Sequence, residues 1–197
     1  MRRYICFVIL VLFSICSLSV AQQMPALNLP NTAEPASVEA QQRLAVINYC
    51  RMDFDGARLS PETFDRMRPL LMESSNPKFE SFEVVSRYSV PRPADPSGPV
   101  VATYHLVGRW DNRAGWKEGT FVEDVRFDVV EREGDALITN IEPGNPHVSA
   151  RAALAYLRQR LTSAQADSER TMIQKGIDAI TAVTKPAPAS STPTAKP

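Results

Sequence analysis

Residues 119–132 read GTFVEDVRFDVVER, and this stretch decides the fold class. Apolar residues occupy every second position along much of it, and the positions between them are mostly charged. A period of two is typical of a strand with one buried face. The side chains that we expect on that face are Phe121, Val125, Phe127 and Val129.

The same alternation predicts further strands on both sides of this stretch, at residues 82–90, 100–110 and 136–141. Turn residues separate the later strands, with Asp-Asn-Arg-Ala-Gly at 111–115 and Gly-Asp at 134–135. A proline-rich loop at 91–99 joins the first two. The chain therefore contains four consecutive strands, which we expect to pair as antiparallel neighbours.

Helical patterns flank the strands. Ser37 is a predicted N-cap, and the first helix should end near residue 52. Its predicted apolar stripe contains Val38, Leu44, Ile47, Arg51 and Phe54. Ser60-Pro61-Glu62 predicts the start of a second helix.

Two more helices are predicted after the strands. The first follows Asn145-Pro146, and the second covers about residues 164–183. Ile173, Ile177 and Ile180 form a narrow apolar seam on the second, which suits a helix lying on the domain surface or on a partner.

Helices followed by a run of strands and further helices predict an α+β fold. We expect a bent antiparallel sheet of about four strands packed on N-terminal helices, with helices after it. The predicted organisation is a signal peptide at 1–21, a linker at 22–36, an α+β domain at 37–161, an amphipathic helix at 162–184 and a disordered tail at 185–197.

The first 21 residues predict export. Two arginines precede an apolar stretch, and Ser19-Val20-Ala21 supplies the small residues that signal peptidase recognises. An uncleaved membrane anchor is the alternative, because residues 4–21 are just long enough to span a bilayer. We expect a periplasmic or secreted protein, in contact with a membrane only if the leader is retained.

Charge and cysteine content exclude several classes of protein. Without the two leader arginines, 20 basic residues face 22 acidic ones, and this balance argues against a nucleic-acid partner. Cys50 is the single cysteine after the leader, so an internal disulfide is excluded. No second histidine or cysteine follows His147 at metal-ligand spacing, and we predict no metal or cofactor. The default role for His147 is at the surface or in a helix cap.

The order of elements resembles the nuclear-transport-factor-2-like superfamily, which includes ketosteroid isomerases, scytalone dehydratase and polyketide cyclases. The residues that carry the resemblance are the helix with its Asp-Phe-Asp-Gly break at 53–56, the hairpin from Tyr104 through Trp110 to Phe127, and the last strand at 136–143. The resemblance covers residues 37–161. It implies a conical sheet around the first helix, with a pocket at the open end.

Glu123 is the most informative candidate site residue, because alternation places it on the same face as Phe121 and Val125. An ionised carboxylate on an apolar face must be paired, protonated or in a wet pocket. It is therefore either a general base or ligand anchor, or a structural residue that pairs with Arg109 or is turned to solvent by a β-bulge.

Five other residues complete the predicted pocket. His105 enters it only if the odd face of its strand points inward, and the more apolar even face, which includes Tyr104 and Trp110, argues against that. The remaining candidates supply aromatic walls and hydrogen-bonding groups or are ordinary core residues: Tyr49, Asp53, Tyr88 and Trp110.

Two functional hypotheses follow. The first is a non-enzymatic exported domain that binds a small apolar ligand or an envelope protein. The second is an isomerase, dehydratase or cyclase with Glu123 as base and Tyr49 or His105 polarising a carbonyl, although no opposing acid can be assigned. A scaffold domain of a secretion apparatus is a third, tied to an uncleaved leader.

Overall fold

The computed structural model describes residues 37–73, 79–95 and 97–185. The predicted leader, the linker and nearly all of the predicted tail lie outside these residues. The described chain forms a curled sheet of five strands with four α-helices and two short 3₁₀ turns, which confirms the α+β class. The elements are α1 (Val38–Phe54), 3₁₀ turns at Ala57–Leu59 and Arg68–Leu70, α2 (Pro61–Phe64), β1 (Ser81–Ser89), β2 (Val100–Asp111), β3 (Gly115–Arg132), β4 (Asp135–Glu142), β5 (His147–Ser149), α3 (Ala150–Ser163) and α4 (Asp167–Thr184).

The order of strands across the sheet is β4-β3-β2-β1-β5. The four predicted strands are confirmed as consecutive antiparallel neighbours, and both predicted hairpins are present. β5 is additional and runs parallel to β1. A strand of three residues is too short to show alternation, which is why the sequence predicted a helix cap there instead.

Helix α1 packs against one side of the sheet. Ser37 caps it as predicted, since its hydroxyl accepts a hydrogen bond from the amide of Ala40 at 3.2 Å. The predicted apolar stripe is wrong in part: Ile47 and Phe54 pack against the core, but Val38 and Leu44 are 51% and 56% exposed. The buried face of the helix consists of Ala45, Val46, Tyr49, Cys50 and Asp53.

This side of the sheet closes over α1, as the alternation predicted. Val125 and Phe127 belong to the same core cluster as Val46 and Tyr49. The rings of Tyr49 and Phe127 meet edge to face, with centroids 5.5 Å apart. Phe121, which we expected in this core, is 48% exposed.

A bulge in β2 divides the core into two clusters. The β1–β2 register shifts between Leu106 and Gly108, so the alternation changes face at Val107. Tyr104 and Leu106 therefore face α1, whereas Trp110 faces α3 and α4. The sequence predicted Tyr104 and Trp110 on one face, because both occupy even positions of β2 and the alternation around Val107 does not reveal this bulge.

Helices α3 and α4 cover the second side. The predicted seam of α4, at Ile173, Ile177 and Ile180, is buried against Phe82 and Trp110. The sequence left open whether this seam packs on its own domain or on a partner. In the structure it packs on its own domain. Among the helices of the described residues, none is long and apolar enough to cross a membrane.

Candidate functional site

The α1 side of the sheet holds most of the buried polar side chains. In the described chain these residues are Asp53, Arg58, Glu83, His147 and Ser149. Asp53, Arg58 and His147 meet at the C-terminal end of α1, and Glu83 lies opposite His147 in the β1–β5 pairing. Burying such groups is costly unless each finds a partner, so their contacts identify the place where this fold departs from a simple apolar core.

A cleft of about 200 Å³ opens beside this cluster, between the helical segment after α1 and strand β4. The β3–β4 register shifts between Asp128 and Val129, which leaves Thr139 as an extra residue in β4. This bulge brings four consecutive residues of β4, at 138–141, to the cleft. The full lining is Tyr49, Arg58, Phe64, Leu71, Glu73, Ile138, Thr139, Asn140, Ile141 and Gly144.

Arg58 lies at one wall of the cleft and is only 8% exposed. Gly56, at a φ of 88°, turns the chain after α1 and brings Arg58 back towards the helix. The guanidinium donates hydrogen bonds to the backbone carbonyls of Gly144 and Asn145 and lies 4.2 Å from the ring centroid of Phe79. Arg58 thus holds the chain that leaves β4 against the turn that follows α1.

Asp53 is the buried acidic partner of Arg58. Its Oδ2 accepts a hydrogen bond from the backbone amide of His147 at 2.9 Å and lies 3.6 Å from the guanidinium. Its Oδ1 is buried without a hydrogen-bond partner among the described residues. Burial raises the pKa of Asp53 above its ordinary value of 3.8, and the nearby Arg58 only partly opposes this effect.

Two further titratable side chains on α1 are held neutral. Burial, reinforced by the charge of Asp53, raises the pKa of Tyr49 far above its ordinary value of 10.0. Burial likewise raises the pKa of the Cys50 thiol to about 12. A thiolate is the reactive form of cysteine, so Cys50 is an inert core residue.

Glu123 reaches across the inside of the curled sheet to β5. Its Oε2 lies 2.7 Å from Nε2 of His147, and the imidazole stacks on Tyr104 with ring centroids 4.2 Å apart. The β2–β3 register places Glu123 opposite Tyr104, on the face that alternation predicted. His147 is 2% exposed, so its predicted surface role is wrong.

Neither structural alternative for Glu123 is observed. The register shift in β3 lies before Phe121, so it does not turn Glu123 to solvent. Arg109 pairs with Glu83 instead, and Glu83 Oε2 is a second buried oxygen without a partner among the described residues. Glu123 is a paired carboxylate in a polar interior.

The six predicted site residues do not share one place. Tyr49 lines the cleft, Asp53 lies behind Arg58, and Glu123 belongs to the neighbouring contact with His147. The ring of Tyr88 makes tilted contacts with those of Phe54 and Tyr104 and lies outside the cleft lining. His105 lies on the face of β2 opposite to Tyr104, and Trp110 belongs to the cluster under α3 and α4.

Sequence reasoning missed Arg58 and Glu83. Arg58 lies in a short turn without periodicity, and nothing in its neighbourhood predicted burial. Glu83 was assigned to the polar face of β1, and the bulges on both sides of Val85 change which residues of that strand point inward. A bulge could have been inferred from the apolar pair Val84-Val85, which interrupts strict alternation.

Comparison with known proteins yields no relative. No family model, curated protein or solved structure matches this chain. The resemblance to nuclear-transport-factor-2-like proteins therefore stays a prediction based on the order of elements. Within the residues that the structure describes, no group of three or more His, Cys, Asp or Glu side chains is arranged to hold a metal ion.

Proposed function

We propose that this protein binds a small, largely apolar and uncharged ligand in the cleft beside β4, without catalysis. The observation that carries the proposal is the lining of the cleft. Phe64, Leu71, Ile138 and Ile141 supply apolar walls, and the polar side chains of the lining are at least as numerous. Apolar walls combined with polar groups that orient the ligand are found in small-molecule sites, and a cleft of about 200 Å³ limits the ligand to a small molecule.

The charges around the cleft favour an uncharged ligand. Arg58 is the cation of the lining, and its guanidinium donors are already engaged by two carbonyl oxygens and by Asp53, which leaves little further binding for an anion. An anion would in addition meet the carboxylate of Glu73 at the rim. A cation would meet the guanidinium. The polar groups available without such repulsion are those of Tyr49, Thr139 and Asn140.

The position of Glu123 supports binding over catalysis. An isomerase of the predicted kind needs a carboxylate base within reach of the substrate. Glu123 is absent from the cleft lining and is engaged by His147. Glu73, the carboxylate of the lining, is exposed at the rim, and the buried Asp53 is shielded behind Arg58 and 1% exposed.

Isothermal titration calorimetry with four probes tests the proposal: indole, cyclohexanol, hexanoate and hexylammonium. We expect the two neutral probes to bind with a dissociation constant of about 1 mM or tighter, within what so few non-hydrogen atoms can supply. The two ions should bind at least about tenfold more weakly, because each meets a like charge at the cleft.

A matched pair of variants locates the binding. Ile141→Trp fills the cleft, whereas Val130→Trp adds the same side chain to an exposed position, 39% accessible, on the neighbouring strand. The first should abolish binding of indole and the second should leave it unchanged. Indole that binds both variants equally, or none of the four probes binding the natural chain, contradicts the proposal.

Export is part of the proposal and rests on the leader pattern. We infer that residues 1–21 are removed during secretion, so that the mature protein begins at Gln22. Edman sequencing of protein recovered from outside the cytoplasm tests this directly. A mature chain that still begins at the leader would instead support a membrane anchor.

A further inference from the structure

We propose that the unpaired edge of strand β3 accepts an extended basic segment of another protein as an additional strand. β3 is 18 residues long and pairs with β2 through residues 115–127. On its other side it pairs with β4 only through residues 126–132. Residues 119–125 therefore have a strand on one side alone, within the part of the chain that the structure describes.

The backbone amide and carbonyl groups on the outer side of this edge are available for pairing with another strand. Apart from the ladder with β2, residues 119–125 make no backbone hydrogen bond to any described residue. The ladder with β2 is regular from Phe121 onward. Unpaired amide and carbonyl groups along an extended strand form a template for another chain, and proteins often protect them with proline, charged side chains or a bulge. Residues 119–125 contain no proline or lysine, and their two charges are both acidic, so they disfavour an acidic or identical strand but not a basic one.

The side chains at the edge are apolar at one end and acidic at the other. Phe121 and Val122 are 48% and 58% exposed, which makes them two of the most exposed large apolar residues described. Glu123 and Asp124 follow directly. Glu123 contacts His147 and Asp124 accepts a hydrogen bond from Thr103, but each carboxylate can accept further hydrogen bonds.

The acidic pair decides the kind of partner. Residues 118–125 contain three carboxylates and no Lys, Arg or His. Antiparallel pairing of two copies along this edge would bring Glu123 and Asp124 of one chain close to those of the other, and like charges across a ladder are destabilising. A segment with two adjacent basic residues beside two apolar ones matches the edge on both faces, because successive side chains alternate between faces.

An antiparallel partner should place its basic pair before its apolar pair. The acetylated and amidated peptide Thr-Lys-Lys-Val-Val-Thr has this order and serves as the probe. The control peptide Thr-Glu-Glu-Val-Val-Thr has the same length and strand propensity with reversed charge. Binding to the full chain is followed by NMR of the backbone amides.

We expect the lysine peptide to shift the amides of residues 119–125 and to bind about tenfold or more tightly than the glutamate peptide at low salt, with the difference shrinking as salt screens it. Asp124→Lys, at an exposed position, should weaken that preference, because two of the three carboxylates of the edge remain. Asp135→Lys makes the same change of charge at the distant start of β4 and should leave the preference unchanged.

Three results would overturn the proposal. One is the absence of shifts along residues 119–125 with the lysine peptide. The second is equal affinity for the two peptides, which would remove the charge argument. The third is a dimer of the natural chain in light scattering that Asp124→Lys alters, since that would assign the edge to a second copy.

Discussion

The two sides of the curled sheet are built differently. The side under α3 and α4 is packed with apolar groups, including Trp110 and the three isoleucines of α4. The side around α1 buries an aspartate, an arginine, a glutamate and a histidine, two of whose oxygens lack partners in the described structure, and it opens into a cleft. The apolar packing stabilises the fold, whereas the buried polar groups around α1 lower its stability. Such a departure from an apolar core is typical of functional regions.

The largest effect should come from disturbing the packing of the apolar side. Gly176 of α4 lies so close to Trp110 that a Cβ there would overlap the indole, which is fully buried. Gly176→Ala should therefore lower the free energy of unfolding by about 2–3 kcal/mol in urea, despite the better helix propensity of alanine.

Gly119→Ala is the control for that substitution. The nearest atoms to its added methyl group would be 4.0 Å away. We expect a change of less than about 1 kcal/mol, in the stabilising direction. An equal decrease in the free energy of unfolding for both variants would contradict the close packing of Gly176 against Trp110.

A smaller and pH-dependent effect is expected on the polar side. Asp53→Asn keeps the acceptor for the His147 amide but buries an amide group without a partner, which should cost about 1–2 kcal/mol at pH 4. Because the folded pKa of Asp53 is raised, its contribution is fully present below 3.8 and is lost as the pH rises through the folded value.

The cost of Asp53→Asn should therefore shrink between pH 4 and pH 8, measured by urea unfolding at each pH. A cost that grows with pH would mean that the ionised carboxylate stabilises the fold through Arg58. Asp55→Asn provides the control, because Asp55 forms an exposed ion pair with Arg151 that should contribute less than about 0.5 kcal/mol.

The smallest effect is expected where the two sides join. Ser149 ends β5 and caps α3, with its hydroxyl accepting a hydrogen bond from the amide of Ala152 at 3.2 Å. Ser149→Ala should cost about 1 kcal/mol in thermal or urea unfolding. Ser163→Ala, at the exposed end of the same helix, should change stability by under about 0.5 kcal/mol. Equal losses would argue against the cap.

The apolar side was largely predictable from the sequence. The strands were predicted from alternation, the turns from Gly, Asn and Asp, and the seam of α4 from isoleucines at helical spacing. Each of these signals is local. Trp110 was placed on the wrong face because one bulged residue at Val107 reverses the alternation without changing the composition of the strand.

The polar side was predictable only in part. Glu123 was recognised because a carboxylate interrupts an apolar face, and Tyr49 and Asp53 because aromatic and hydrogen-bonding side chains commonly line small-ligand pockets. Their partners were not found, since Arg58 and His147 reach the site through contacts between residues distant in sequence. The buried face of α1 was also predicted incorrectly in part. It includes Asp53, a charged residue that a hydropathy pattern places on the exposed face.

Isoleucine methyl NMR tests the contrast between the two sides most directly. Ile138 and Ile141 line the cleft, whereas Ile173, Ile177 and Ile180 form the buried face of α4. Titration with indole should shift the two cleft methyl signals progressively and leave the three α4 signals in place. Shifts confined to the α4 methyls, or no shift at either set, would contradict a ligand site on the α1 side.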